Sequence, residues 1–279
     1  MRYKIIGDSC LDLTEELKGD SHFQTVPLTL QVGDVRIIDD EQFNQKEFLS
    51  LVKNSEECPK TACPSPASFK EAFEGDADCI FVITLSQHLS GSHNSAVLAR
   101  ELYEEEHGGE KKIAVIDSLS ASSGELNVAL FIRDLCEQEV PFEEICRRAE
   151  EYRDSMNTYF VLETLDFLKK NGRLTGLKAF FATALNIKPV MGAESGTIIK
   201  LDQARGINRA LERMAELAVR GGGDTSGKRL IIAHCNNPKR AESVKELMCR
   251  LGTFREVLIT ETAGVATLYA GDGGIILTL

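Results

Sequence analysis

The residues of this sequence that are best placed to do chemistry are serines grouped in three short loops. Asp8-Ser9, Ser86–Ser92 and Ser118–Gly124 each directly follow a short apolar run. Serine hydroxyls and glycine N–H groups donate hydrogen bonds without adding fixed charge. Ser90-Gly91-Ser92 also precedes a helical pattern, and a helix N-terminus favours an anionic oxygen. The loops therefore predict a site for a carboxylate or a phosphate.

The same loops also have a purely structural explanation. Serine and glycine are common cap and turn residues, so any one loop could serve only to start a helix. Three such loops after parallel strands lie on one rim, where open α/β sheets bind ligands, and this favours a site. A further segment, Thr61–Pro66, places two prolines around a serine and predicts a stiff extended loop that cannot join a helix.

The elements that must position these loops alternate between strands and helices up to about Pro141. Strands are predicted at Tyr3–Gly7, Val26–Val32, Cys79–Leu85 and Lys112–Asp117. Helices are predicted to start near Asp12 and Ser123 and to cover Gln45–Lys53, Ser92–Glu106 and Phe142–Asp154. Strand, loop and helix in series imply a parallel sheet covered on both faces.

The second half of the chain has a different pattern. Strands are predicted at Tyr159–Thr164, Ile187–Met191, Thr197–Leu201, Arg229–His234, Glu256–Thr260 and Gly274–Leu279. Helices are predicted at Leu165–Asn171, Leu177–Leu185, Ile207–Val219 and Lys239–Leu251, and the turn at Glu194-Ser195-Gly196 predicts a hairpin. We therefore predict an α/β protein with an N-terminal parallel-sheet α/β domain over residues 1–154. A C-terminal α+β domain with a mixed sheet would cover residues 155–279.

Composition narrows the classes of function. The chain has 279 residues, a formal charge of −11 and no Lys/Arg cluster, which argues against a nucleic-acid partner. No apolar run approaches the roughly 20 residues of a membrane span, and residues 1–7 resemble a strand more than a signal peptide. The eight cysteines form no CxxC pair and the five histidines show no ligand spacing, so we expect reduced thiols, no metal site and a cytoplasmic protein.

Two enzymatic alternatives start from the same residues. A serine-dependent hydrolase or acyltransferase acting on a lipid or acyl substrate would need a base, and His88 and His93 flank Ser90, but no Gly-x-Ser-x-Gly turn is present. The segment Gly222–Lys228 imitates a P-loop, yet Arg229 occupies the position of the magnesium-binding hydroxyl. We interpret that segment as a turn, and the hydrolase stays open as an alternative.

Several segments, in this order and spacing, resemble the DegV family from end to end. They are Asp8-Ser9, Thr61–Pro66, Leu89–Ser92 with Asn94-Ser95-Ala96, Asp117-Ser118, Leu168–Leu174, Leu185–Val190 and Gly271–Gly274. The better-studied members of this family are the fatty-acid-binding subunits of bacterial fatty acid kinase. The resemblance implies a non-catalytic protein that holds a long-chain fatty acid between its two domains and presents it to a separate kinase. It implies no cofactor apart from the bound fatty acid.

The resemblance also implies which residues hold the ligand. Thr61 and Ser90 would bind the carboxylate, and Arg173 would lie close to the head group. Ser92 and Ser118, from the serine loops, are further candidate ligand-binding residues, as is Tyr269, which stands where family members often carry a histidine. A phenol can donate a hydrogen bond but is not a near-neutral base.

The sequence departs from the family pattern in the proline-flanked loop as well. Family members usually have Thr-Ser-Gln-Pro there, whereas this chain has Thr61-Ala62-Cys63-Pro64. One hydroxyl that could face the ligand is therefore missing. The apolar helix predicted at Leu177–Leu185 could line a tunnel or belong to an ordinary core.

Overall fold

The computed structural model describes residues 1–174 and 186–279 of the chain. The helix predicted at Leu177–Leu185 lies outside the described residues. The strands of the described residues are β1 Tyr3–Asp8, β2 Phe23–Val26, β3 Thr29–Val32, β4 Val35–Ile38, β5 Lys60–Ala62, β6 Cys79–Thr84, β7 Lys112–Asp117, β8 Thr158–Val161, β9 Ile187–Glu194, β10 Thr197–Arg205, β11 Arg229–His234, β12 Glu256–Glu261 and β13 Ile275–Thr278.

The helices of the described residues follow the same order along the chain. They are α1 Glu15–Lys18, α2 Gln45–Asn54, α3 Pro66–Ala72, α4 Ser92–His107, α5 Ser123–Glu137, α6 Phe142–Ser155, α7 Asp166–Lys170, α8 Ile207–Gly222, α9 Pro238–Leu251 and α10 Gly264–Ala270. In residues 1–174 and 186–279, no helix has the length and apolarity needed to cross a membrane.

The N-terminal half contains a four-stranded sheet in the order β2-β1-β6-β7, and all of its pairs are parallel. Every residue of β6 is buried, as expected for a central strand with both faces covered. Side chains of α5 and α6 pack on one face, and side chains of α3 and α4 pack on the other. The predicted parallel-sheet domain is therefore confirmed.

The C-terminal half contains a six-stranded sheet in the order β10-β9-β8-β13-β11-β12. The pair β11–β12 is parallel and the other pairs are antiparallel, so the sheet is mixed, as predicted. Helices α8 and α9 cover one face through a core that includes Met214 and Met248. At the predicted β9–β10 hairpin, Ser195 and Gly196 both have positive φ, which suits the tight turn.

Helix α5 connects the two halves. It contacts β1 and β6 of the N-terminal sheet as well as β11 and β13 of the C-terminal sheet. Asn127 on this helix donates from Nδ2 to the carbonyl of Arg229, 3.2 Å away. The two halves therefore pack closely through α5, while the exact domain boundary after residue 154 stays a prediction.

A third, antiparallel sheet in the order β4-β3-β5 was not predicted. The prediction of one extended segment over Val26–Val32 is wrong. Val26 ends β2 of the parallel sheet, and Thr29–Val32 forms β3 of this small sheet. Pro27 has no N–H for a ladder, and the next N–H, of Leu28, binds the hydroxyl of Ser9 at 3.0 Å.

The prediction that Thr61–Pro66 cannot join a helix is also wrong. Thr61 belongs to β5, and Pro66 is the first residue of α3. A proline suits this position because the first N–H of a helix has no intrahelical acceptor. Ser65 caps the helix by accepting from the backbone N–H of Ser68 at 3.1 Å.

Candidate functional site

An apolar cavity with about 100 Å³ of free space lies between the two halves of the protein. One wall belongs to a core cluster that includes Leu28 and Leu85, and the other wall to a cluster that includes Phe160 and Leu168. Leu89 and Tyr269 pack against both clusters. The cavity therefore offers an apolar surface to which both halves contribute.

The sheets position this cavity. Leu85 directly follows β6 and Leu119 follows β7, so the cavity lies at the carboxyl ends of the parallel strands. On the opposite wall, Thr158, Phe160 and Leu162 line the cavity at every second position of β8 and its extension. Alternate residues of a strand share one face, and at about 3.3 Å per residue this row is roughly 13 Å long. The row forms part of one wall of the cavity.

Hydroxyl groups and one guanidinium come together on the wall of this cavity. Thr61 Oγ1 lies 3.1 Å from Tyr269 Oη, and either oxygen can be the donor. The Arg173 guanidinium carbon lies 5.7 Å from the centre of the Tyr269 ring, a cation–π distance. Arg173 Nε donates to the carbonyl of Leu89 at 3.1 Å, and its Nη1 donates to the carbonyl of Asn171 at 2.5 Å. All three predicted residues line the cavity.

Ser90 also lines the cavity, next to this group. It lies two residues before α4, and its Oγ accepts from the backbone N–H of Ser92 at 3.2 Å. That bond uses an acceptor site of the hydroxyl, so the Ser90 O–H remains able to donate to a ligand. Four of the six predicted contacts, Thr61, Ser90, Arg173 and Tyr269, therefore come together at the cavity.

The other two predicted contacts, Ser92 and Ser118, are fully buried beside the cavity and do not line it. Ser92 Oγ donates to Asp8 Oδ2 at 2.5 Å, and Ser118 Oγ accepts from the backbone N–H of Ser120 at 3.2 Å. Ser118 lines a neighbouring cavity of about 280 Å³ instead. Both hydroxyls are used in hydrogen bonds that hold the loops in place. The structure therefore does not support Ser92 and Ser118 as direct ligand contacts.

Asp8 organises the loop that carries Ser90. Its carboxylate accepts from the N–H groups of Cys10 at 3.1 Å and Leu85 at 3.0 Å, in addition to Ser92. Burial raises the pKa of Asp8 to about 6, while these hydrogen bonds oppose the shift. Near neutral pH the carboxylate thus connects the ends of β1 and β6 to the start of α4.

Acidic runs such as Asp39-Asp40-Glu41 are usually solvated, but Asp39 is only 3% exposed. Its carboxylate accepts from Ser9 Oγ at 2.8 Å and from the backbone N–H groups of Gly264 at 2.6 Å and Val265 at 2.9 Å. The first N–H groups of a helix have no partner inside the helix, so Asp39 satisfies the start of α10. Burial raises the pKa of Asp39 despite these bonds.

Asp12, which like Asp39 belongs to the N-terminal half, also supports α10. It is fully buried, and its carboxylate accepts from the backbone N–H of Ala263 at 2.6 Å and from Ser122 Oγ at 2.5 Å. Burial raises the pKa of Asp12 to about 8. Since α10 supplies Val265 and Tyr269 to the cavity, Asp12 and Asp39 position part of the cavity wall without touching its interior.

Sequence reasoning missed three hydroxyls of the cavity wall: Ser120, Ser122 and Thr158. The first two lie in the serine loop that the sequence singled out, so their residue type was a usable signal. Thr158 precedes the predicted strand and gave no signal. Its Oγ1 lies 2.7 Å from Ser120 Oγ, a contact that only the packing of the two halves creates.

The arrangement around Ser90 does not form a hydrolytic triad. Nδ1 of His93 lies 3.3 Å from Thr84 Oγ1, and within the described residues its ring is hydrogen-bonded neither to Ser90 nor to a carboxylate that would orient it. His88 is exposed and has no bond to Ser90 in the described residues. Among these residues no group of three or more His, Cys, Asp or Glu side chains could hold a metal ion. The geometry therefore suits binding of an acid better than covalent chemistry.

Comparison with known proteins gives one consistent result. The family model described as "Uncharacterised protein, DegV family" matches residues 2–278. A DegV domain-containing protein of Streptococcus pneumoniae strain R6 is 36% identical over 281 residues, covering 99% of this chain and 98% of that protein.

Two similar solved structures were determined with fatty acids. A DegV family protein of Ruminococcus gnavus, refined with vaccenic acid, is 45% identical with a TM-score of 0.96, and 99% of each chain is covered. The fatty acid kinase B3 protein of Streptococcus pneumoniae, loaded with linoleic acid, is 34% identical with a TM-score of 0.90. That comparison covers 100% of this chain and 99% of the other.

Proposed function

The chain belongs to the DegV family, and we propose that it binds one long-chain fatty acid in the cavity between its two halves. The observation that carries this proposal is an apolar cavity whose lining includes the Thr61–Tyr269 hydroxyl pair, with Arg173 beside it. An amphiphile with one acidic end matches this arrangement. The fatty acids in the two similar solved structures support the same ligand class.

The energetics favour a ligand of this kind. Burying one methylene contributes about 0.8 kcal/mol, so roughly 15 methylenes contribute on the order of 10 kcal/mol before ordering costs. The buried carboxylate must then be hydrogen-bonded, since an unpaired charge would cancel much of that gain. The tail would supply affinity, and the polar end would fix the direction in which the acid enters.

Arg173 is well suited to receive the carboxylate. Its Nε and Nη1 are occupied by backbone carbonyls, which hold the guanidinium against the Tyr269 ring. Within the described residues Nη2 has no acceptor, so its N–H groups are available for a carboxylate oxygen. Such a charge-assisted bond contributes about 1.5 to 3 kcal/mol. Thr61, Ser90 and Tyr269 would complete the ring of donors.

We further propose that this is a cytoplasmic, non-catalytic protein that presents the acid to a separate fatty acid kinase. The support is the name of the similar Streptococcus pneumoniae protein and the group of polar side chains, Thr61, Ser90, Arg173 and Tyr269, in the cavity lining. Tyr269 can donate to the carboxylate but is not a near-neutral base. On this proposal the kinase supplies the chemistry of acyl-phosphate formation.

The first test is organic extraction of the purified, denatured protein, followed by mass spectrometry. We expect about one equivalent of a C14 to C18 acid per chain. An extract without fatty acid, together with no measurable binding of added palmitate or oleate, would overturn the proposal.

The second test removes single hydroxyls from the polar end. In Thr61→Val and Ser90→Ala the carboxylate would lose one charge-assisted bond, so we expect oleate affinity to fall about 10-fold or more. Thr253→Val and Ser243→Ala are matched controls, because both residues are exposed and lie outside the cavity lining. Equal affinity of all four variants and the native chain would remove Thr61 and Ser90 from the site.

A further inference from the structure

Helix α4 carries a row of residues that leads from the proposed carboxylate site to an exposed apolar surface. Ser90, which lines the lipid cavity, directly precedes this row. Spacings of four, three and four positions place four residues on one face of the helix: Gly91, Ser95, Leu98 and Leu102. At 1.5 Å per residue the row is roughly 17 Å long. We call these four residues the α4 row.

The α4 row begins beside the loop that carries Thr61. Cys63, two positions after Thr61, is exposed, and its Sγ lies 3.9 Å from Ser95 Oγ. A Cβ built on Gly91 would lie only 3.1 Å from the same sulfur atom. The start of the row therefore packs directly against the segment that supplies Thr61 to the lipid cavity.

The two leucines of the α4 row face away from the core. Leu98 is 45% exposed and Leu102 is 37% exposed, while Ala96, Ala99 and Tyr103 on the opposite face are buried. A single exposed leucine needs no explanation, but these two are one helical turn apart and form a continuous surface. The exposed Val35 and Ile38 of β4 do not, because residues three positions apart in a strand point to opposite faces.

The border of this apolar surface is acidic. Glu101 and Glu105 lie beside the leucines on α4, are exposed and make no ion pair within the described residues. The nearby cations are already used, since Lys70 on α3 pairs with Glu106 at 2.7 Å. Arg100 Nε lies 3.8 Å from the carboxylate of the residue four positions later. Such a border favours a partner surface that offers lysine or arginine side chains.

The size of a stable protein interface is large enough to include both regions. Each partner typically buries about 800 Å², which corresponds to a patch about 32 Å across if it is roughly circular. The α4 row is about half that length. A protein that covers the carboxylate site at Thr61 and Ser90 can therefore contact Leu98 and Leu102 at the same time.

We propose that the Leu98–Leu102 face of α4 is the docking surface for the fatty acid kinase. The kinase would present an apolar patch bordered by lysine or arginine side chains. The leucines would then be buried in the centre of the contact, and Glu101 and Glu105 would guide its approach. This inference rests on the proposed function, because it assigns the surface from which the bound acid is presented.

The test measures acyl-phosphate formation, with the oleate-loaded full chain as substrate and the ATP-dependent fatty acid kinase of the same organism as enzyme. In Leu98→Asp and Leu102→Asp the KM for the loaded chain should rise at least about tenfold. The kcat and the oleate dissociation constant should stay unchanged, because neither leucine lines the lipid cavity. Leu251→Asp is the matched control, since Leu251 is 42% exposed on α9 of the other half, and its KM should equal the native value.

A second set of variants tests the charge of the partner. Glu101→Lys and Glu105→Lys should each raise the KM about threefold at low salt, as expected for one exposed ion pair. The increase should shrink at about 0.5 M salt, where exposed charges are screened. Glu246→Lys, on the exposed face of α9, is the matched control. An unchanged KM in both α4 variants would overturn the basic border of the partner.

The outcomes separate docking from fatty acid binding. An unchanged KM in both Leu98→Asp and Leu102→Asp would overturn the docking surface, and turnover of the native chain would leave the proposed function standing. Loss of oleate binding in both variants, but not in Leu251→Asp, would also overturn it, because the row would then support the fold. A native dimer that Leu98→Asp dissociates in analytical ultracentrifugation would assign the surface to self-association instead.

Two results on the native chain decide the proposals beneath this one. If the native chain binds oleate but yields no acyl phosphate, presentation to a kinase fails, and the docking surface fails with it. If the native chain does not bind oleate, the fatty-acid function itself fails.

Discussion

Replacing Asp39 by alanine should destabilise the protein and weaken fatty acid binding together. The substitution removes the acceptor for the N–H groups of Gly264 and Val265 and for the Ser9 hydroxyl. Leaving a buried donor unsatisfied costs about 1 to 3 kcal/mol, so three donors give about 3 kcal/mol or more. Part of this loss is offset, because burial already raises the pKa of Asp39 and makes its charge costly. We therefore expect the free energy of unfolding to fall by about 3 kcal/mol.

Urea unfolding and oleate binding, measured on the same preparations, check this prediction. Asp40→Ala is the matched control, because Asp40 is exposed and accepts from the N–H of Gln42 at 2.9 Å in its own loop. We expect that control to change stability by less than about 1 kcal/mol, as is usual for surface substitutions. In Asp39→Ala, affinity should also fall, because α10 carries Val265 and Tyr269 to the cavity. Equal stability of the two variants would refute the role of Asp39 as the support of α10.

Two further predictions concern the other buried carboxylates. Burial raises the pKa of Asp12 from 3.8 to about 8. Between these two pH values the folded chain retains a proton that the unfolded chain releases, so the free energy of unfolding should fall as pH rises from about 4 to about 8. Asp12→Asn should make that slope shallower in urea titrations at several pH values, and an identical slope would contradict the assignment. Ser92→Ala should lower the free energy of unfolding by about 1 to 3 kcal/mol, because it removes a hydrogen bond to the buried Asp8 carboxylate. Oleate affinity should fall less in Ser92→Ala than in Ser90→Ala. If Ser92→Ala instead lost affinity while keeping native stability, Ser92 would be a ligand contact.

Much of the fold was predictable because its signals are local. The strands Cys79–Thr84 and Lys112–Asp117 are short apolar runs that end in polar loops, and the structure confirms both. Helix α9 has a proline at its first turn and a glycine after its end, the usual boundary residues. Such patterns depend on residues within one element, so the sequence alone was enough to find them.

The elements that were missed depend on distant residues. Helix α10 has seven residues and begins with glycine. The residue before it, Ala263, has no side chain that could cap the helix. Its start is stabilised by Asp39 and Asp12, which precede Gly264 and Ala263 by 225 and 251 positions. A short helix cannot form on local propensity alone, so tertiary contacts decided its existence.

The sequence by itself determined the α/β order of elements, and the family resemblance drew attention to Thr61, Ser90, Arg173 and Tyr269. Only the tertiary structure decided which hydroxyls face the cavity, because Thr61 and Tyr269 are separated by 208 positions and meet only when the two halves pack. It likewise assigned Ser92 to a buried carboxylate, although Ser92 and Ser90 are only two positions apart. The physical reason is that a buried charge must be hydrogen-bonded, and the fold alone determines which neighbouring hydroxyl reaches it.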